Sequence, residues 1–124
     1  MSKIVHIEGT EDTPSILLDP VKNEIRIKGI SMPENAFEFY DPIEKKALEI
    51  FKNTKATLLI EIELFYMNSM SNKQVLKLIK QISAASCQVK VNWRYAPGDT
   101  LIKMKGEEIR SICSNLEVLV QKTT

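Results

Sequence analysis

Six consecutive residues, Asn68-Ser69-Met70-Ser71-Asn72-Lys73, place two hydroxyls, two amides and an ammonium group where strand-like alternation gives way to helical spacing. The first turn of a helix leaves four backbone N–H groups without intrahelical partners and carries the positive end of the macrodipole, so it favours an anion such as a phosphate. The two serines divide the possibilities. Ser71-Asn72-Lys73-Gln74 has the spacing of a capping box, worth roughly 0.5 to 2 kcal/mol for the capping hydroxyl, and predicts Ser71 as the N-cap. Ser69 then stands upstream on an exposed turn without a structural task. It is either hydrogen-bonded locally, as serines in helix-entry turns ordinarily are, or open to a kinase, with Ser71 the second choice as acceptor. Met67 and Met70 add apolar surface, and together with Asn68, Ser71 and Lys73 they form the expected partner-facing patch.

Other chemistry is sparse. The chain has no GxGxxG, P-loop, HExxH or GxSxG motif, and its one histidine, His6, lies in a strand-like run with no marked acid or nucleophile beside it. Glu61/Glu63 and Glu107/Glu108 fall on surfaces expected to be solvated, whereas a catalytic carboxylate pair needs a shared cleft, so both read as structural charge. Cys87 and Cys113 are 26 positions apart and in no CxxC pair, which reads as buried thiols and neither a metal site nor a disulfide framework. No cofactor or metal is expected. The 17 basic residues nearly cancel the 16 acidic ones and are spread along the chain, leaving no electrostatic footprint for nucleic acid or an anionic membrane. No stretch approaches the roughly 20 apolar residues of a membrane span, and the N-terminus lacks a signal-peptide core, so a cytoplasmic location is the expectation.

The elements that must position the turn follow from periodicity. Leu58, Ile60, Ile62, Leu64 and Tyr66 recur with period two, as a strand with one buried face requires, while Val75, Leu76, Ile79 and Ile82 recur at helical spacing. Upstream lie a short edge strand over Lys3 to Ile7 and a hairpin of Ser15 to Asp19 and Glu24 to Ile30, joined through Pro20-Val21-Lys22-Asn23. Ser31-Met32-Pro33-Glu34 fits a capping box opening a short helix, which Pro42 should break at Asp41, with Asp41 and Glu44 capping a second segment through Asn53. Downstream, Cys87 to Tyr95 alternates as a strand, Asp99 offers an N-cap for a helix to about Cys113 that contains Gly106, and Leu116, Val118 and Val120 form a last strand.

That order predicts one α/β domain spanning residues 1–124, with two layers, a mixed and largely parallel sheet, an N-terminal hairpin and helices mainly on one face. A parallel sheet covered on both faces reads as continuous apolar runs, whereas Glu61 and Glu63 here sit opposite Ile60 and Ile62, and Lys90 and Arg94 do the same on the next strand. The other face should therefore be wet, with Glu61 and Glu63 between Arg26 and Lys28 on one side and Lys90 and Arg94 on the other. Leu59, Phe65 and Leu119 depart from that pattern as candidate contact residues.

Three segments together resemble the SiaC family of bacterial signalling proteins: Thr13 to Asp19, Ile27 to Pro42 with its Pro33-Glu34-Asn35-Ala36 block, and Phe65 to Lys73. They are similar to the family's TPxIxFD, IxGxSxPENAxxFYxP and YFNTSSSK patterns in order and spacing, and Val91 to Tyr95 with Gly98-Asp99 adds a weaker fourth match. The resemblance implies a non-enzymatic, STAS-like switch, phosphorylated by a serine/threonine kinase and dephosphorylated by a PP2C-type phosphatase, whose unphosphorylated form binds a diguanylate cyclase. Its phosphoacceptor threonine falls on Ser69, which keeps the hydroxyl, and the acidic run that usually follows the tryptophan segment shrinks to Ala96-Pro97-Gly98-Asp99. Two rival classes remain: a small enzyme or ligand-binding protein using a cleft at the C-terminal ends of the strands, lined by Asp99 and Lys73, and a scaffold or dimer using the uncovered sheet face.

Overall fold

Leu58, Ile60, Ile62 and Leu64 alternate with Leu59, Glu61 and Glu63 along β4 (Leu58–Met67), and the first set is buried. The computed structural model describes residues 3–86 and 88–123. Around β4 stand β1 (Val5–Ile7), β2 (Ser15–Asp19), β3 (Glu24–Ser31), α1 (Ala36–Phe51), α2 (Ser69–Ala85), β5 (Val89–Tyr95), α3 (Thr100–Ile112) and β6 (Glu117–Lys122). The sheet has the order β1-β2-β3-β4-β5-β6, antiparallel through β3 and parallel from there to β6. Strands added successively on one side through right-handed crossovers leave their helices on a common face, as the sequence predicts. Ile25, Ile27, Val91 and Trp93 join the β4 residues in one core with Tyr40, Phe51, Val75, Ile79 and Ile109 from the helices.

The opposite face is wet and zwitterionic. Arg26 Nε lies 2.9 Å from Glu24 and 3.6 Å from Glu61, Arg94 reaches Glu61 at 3.0 Å, and Lys90 reaches Glu117 at 3.1 Å. The predicted acidic strand between basic ones is thus formed in register, Arg26 opposite Glu61 and Glu61 opposite Asn92.

The first helix departs from expectation. Ser31 does not cap it; Ser31 extends β3, and Asn35 is the N-cap, its side chain accepting from Glu38 N at 3.0 Å. Nor does Pro42 break it, although the missing N–H leaves the Glu38 carbonyl without its intrahelical donor. An interior proline costs about 3 kcal/mol, while each fully buried Ile or Phe contributes about 1.5 to 3. Ile43 and Phe51 beyond the proline continue the buried stripe of Tyr40 before it, so packing carries the helix through. Asp41 consequently forms an i,i+4 pair with Lys45 at 3.0 Å, and Glu44, itself buried, reaches Lys77 of α2 at 3.5 Å. Cys113 is buried as expected, and Cys87 lies outside the described residues.

Trp93 is fully buried, and its Nε1–H donates to the Ile102 carbonyl at 2.9 Å. Gly106, one turn further along α3, lies flat on the indole, where an added Cβ would overlap Trp93 Cδ1. Alanine would gain about 1 kcal/mol of helix propensity but overpack a rigid ring, at a cost of roughly 1 to 3 kcal/mol. Gly106→Ala should therefore lower the urea midpoint with an unchanged m-value; a raised midpoint would show that the indole yields. Tyr40 supplies a second test. Burial pushes its phenol up to about 12. The folded chain holds this proton more tightly than the unfolded one, so the contribution is complete below about pH 10 and is lost towards about pH 12. The urea midpoint should fall across that window, and less steeply in Tyr40→Phe; parallel slopes would exclude this phenol as the titrating group.

Candidate functional site

The turn between β4 and α2 is shaped by a β-bulge. Pairing runs Gly29 to Leu64 and then Ile30 to Tyr66, so Phe65 is the extra residue on β4. Gly29 sits at φ 126°, a backbone conformation that side chains oppose, on the partner strand where the register changes. The bulge resets the alternation. Leu64 points inward, Phe65 and Tyr66 are both about half exposed (48% and 47%), and Met67 turns back into the core at 3%. Two expectations fall with it: Tyr66 does not continue the buried face, and Met67 is a core residue that offers a partner nothing.

Beyond the bulge β3 stays in register, with Ser31 opposite Met67, and the Asn68 N–H donates to the Ser31 carbonyl at 3.0 Å. Asn68, not Ser71, is the N-cap of α2: its Oδ1 accepts from Ser71 N at 2.8 Å, and its carbonyl accepts from Asn72 N at 3.0 Å. Ser71 is the third residue of the helix and is fully buried, which removes it both as the cap and as an accessible second acceptor. The Ser31 hydroxyl donates to Ser71 Oγ at 2.8 Å and shares a 2.6 Å bond with the Tyr40 phenol. Having given its one proton to Ser71, Ser31 must receive the proton of Tyr40. Three buried hydroxyls from β3, α1 and α2 thus satisfy one another directly beneath the turn.

What remains at the surface is Ser69, Met70 and Lys73. Ser69 is the first residue of α2 and is exposed, Met70 is 52% exposed, and Lys73 stands one turn along, also exposed. Among the described residues neither the Ser69 hydroxyl nor the Ser69 and Met70 amides have a hydrogen-bond partner. The site therefore combines a free hydroxyl, free amide donors and a lysine at a helix N-terminus.

All three helices begin where the parallel strands β3, β4 and β5 end, and each has an Asx cap. Asn35 caps α1, Asn68 caps α2, and Asp99 caps α3 by accepting from Ile102 N at 3.1 Å. The two asparagine caps were missed because a Ser-x-x-Glu or Ser-x-x-Gln spacing outweighed a lone Asn, although Asn caps as well as Ser does. Ala96-Pro97-Gly98-Asp99 is a tight turn, with Asp99 N bonded to the Ala96 carbonyl at 3.0 Å, so Asp99 is committed to its helix. The groove on the wet sheet face is lined by Arg26, Lys28, Glu61, Glu63 and Arg94, and another lies at Ser83, Cys113 and Asn115; neither includes Ser69 or Asp99.

Comparison with known proteins gives a consistent result. A curated relative, an uncharacterised protein of Pseudomonas aeruginosa (strain UCBPP-PA14), is 26% identical over 113 residues, covering 89% of this chain and 90% of that protein. SiaC of Pseudomonas aeruginosa superposes with a TM-score of 0.82 at 25% identity, over 98% of this chain and all of that one (100%). The same protein bound to the diguanylate cyclase SiaD, which it activates, superposes at 0.86 with 24% identity, over 96% and 99% of the two chains. Residues 7–123 match the family described as SiaC family regulatory phosphoprotein. With that match spanning almost its whole length, and with the fold to accompany it, the chain belongs to the SiaC family of regulatory phosphoproteins.

Proposed function

We propose that this chain is a non-enzymatic cytoplasmic switch, a single domain over residues 1–124, whose reversible phosphorylation site is Ser69. The observation that carries the reading is the division of labour between the two serines: Ser71 is buried and bonded, while Ser69 is exposed and has no partner among the described residues. A serine/threonine kinase needs an accessible hydroxyl, and a PP2C-type phosphatase needs an accessible phosphate. In the unphosphorylated form Ser69, Met70 and Lys73, flanked by Asn68, face a partner. By analogy with SiaC bound to SiaD, that partner is a diguanylate cyclase.

Phosphate on Ser69 adds about −1.5 to −2 charges beside free helix N–H groups and one turn from Lys73. The helix end stabilises that charge, and a docked surface at the same place does not tolerate it, so modification alters binding and spares the fold. Asp99 caps a helix and Lys73 points to solvent, which supports a binding role over catalysis in a cleft at the strand ends.

Pull-down of the diguanylate cyclase should succeed with Ser69→Ala and weaken about tenfold or more with Ser69→Asp, in line with the charge introduced. Mass spectrometry of the chain from its own cell should place the phosphate on Ser69. Indistinguishable binding by the two variants, or phosphate on Ser71 alone, would overturn the assignment. Ser71→Ala should leave Ser69 modifiable but lower stability by about 1 to 3 kcal/mol, because Ser31 loses its buried acceptor. A Ser71→Ala chain as stable as the parent in urea would show that the hydroxyl chain has an alternative partner.

A further inference from the structure

Of the three apolar residues that depart from the charge pattern of the wet sheet face, Leu119 lies on the strand furthest from β4 and is the most exposed, at 54%. It sits near the middle of β6, the edge strand of the parallel half of the sheet, and among the described residues nothing pairs with the outer side of that strand. The Thr123 N–H donates to the Tyr95 carbonyl at 2.9 Å, which fixes the alternation. Odd-numbered residues of β6 turn their N–H and C=O groups to β5, and Val118, Val120 and Lys122 turn theirs outward. Such an edge is a template for another strand, and folded proteins usually blunt it with a proline, a bulge, a central charge or brevity. The opposite edge is blunted by its length, since β1 has only 3 residues. β6 has 6, pairs with β5 without a register shift, contains no proline, and keeps its two charges, Glu117 and Lys122, at its ends.

We propose that this edge pairs with a second copy of the chain, β6 against β6 in the antiparallel sense, about a twofold axis at Leu119. The occupant is a second copy because the strand is self-complementary. Opposite residues in an antiparallel pair share a face, so a self-pairing matches odd positions with odd and even with even. Centred on Leu119, it sets Leu119 against the same residue of the other copy at a non-hydrogen-bonded position, where side chains approach most closely. Val118 then faces Val120 of the other copy on each side of the axis, and these are residues with outward amides and carbonyls, so each pair exchanges both of its hydrogen bonds. Glu117 meets Gln121 and never a second Glu117, and the acidic end of each strand lies along the basic end of the other. Centring on Val120 instead would set Lys122 against the buried Val118 and lose the leucine pair. A pairing of 6 residues is at the small end of specific interfaces, which start at roughly 1,200 Å², so association is concentration-dependent. The axis leaves both Ser69 turns free, at opposite ends of one continuous sheet and two strands in from the contact. The dimer thus presents two switch sites to a partner with two docking positions, and gains avidity there without any new contact. This pairing does not depend on Ser69 being the regulated residue.

The test uses the full chain. Analytical ultracentrifugation from low micromolar to near-millimolar concentration should show a monomer–dimer equilibrium, and Leu119→Lys, which sets two like charges at the axis on an exposed position, should weaken it about tenfold. Circular dichroism of each variant controls for folding. Under mild oxidation Leu119→Cys should form a disulfide-linked dimer about tenfold or more faster than Glu117→Cys, because a non-hydrogen-bonded pair brings its Cα atoms to about 4.5 Å, within disulfide range, whereas Glu117 lies across from Gln121. A mixture of Glu117→Cys and Gln121→Cys chains should cross-link faster than either alone, and the parent's own thiols set the background rate. Ser69→Asp should dimerise like the parent. A chain that stays monomeric throughout, with Leu119→Cys linking no faster than Glu117→Cys, overturns the inference. A dimer that persists in Leu119→Lys and is not captured at position 119 uses another surface and equally overturns it. Dissociation by Ser69→Asp places the contact at the turn and also overturns it.

Discussion

Three hydroxyls that see no water hold the centre of this molecule together. Tyr40, Ser31 and Ser71 lie in a chain of two short hydrogen bonds beneath the β4–α2 turn, one from each of the elements that meet there. A buried polar group without a partner costs about 1 to 3 kcal/mol, so each member depends on the other two being in place. The position of α1 against α2, the extension of β3 to Ser31 and the depth at which α2 begins are thereby coupled. Phosphate on Ser69, two residues from Ser71, would sit directly on this network without entering it.

The bulge in β4 completes the arrangement. One extra residue at Phe65 turns Met67 into the core, which brings Asn68 to the Ser31 carbonyl and lets its side chain close the first turn of α2. The same extra residue turns Phe65 and Tyr66 outward beside the turn. Bulges recur where a sheet must re-aim its side chains, and here the result sets the exposed Ser69 hydroxyl at the start of α2. Away from that end the two sheet faces do different work, one burying the core against the helices and the other carrying the Arg26–Glu61–Arg94 pairs in water. Glu61 is shared by both arginines and is only partly exposed, so these pairs form a small network across three strands and help to fix their register.

Periodicity alone determined most of the architecture. Alternation in β4 and β5 with charges on one side specified a sheet wet on one face, the strand and helix order specified a parallel sheet with helices together, and Asp99 was legible as a helix cap because it acts through contacts near in sequence. The change of period likewise placed Ser69 at the strand-to-helix turn. Local rules failed where distant groups decide. Ser31 and Ser71 satisfy a capping box as written, but β3 needs Ser31 as a strand residue and the core needs both hydroxyls, so the caps passed to Asn35 and Asn68. Pro42 should stop a helix, and burial of Ile43 and Phe51 carries it through. Whether Met67 faces a partner or the core depends on a single extra residue in the pairing of two strands far apart in the chain. A residue's neighbours in sequence set its local preference, whereas its exposure and its hydrogen-bond partners are set by which strands and helices the fold brings against it.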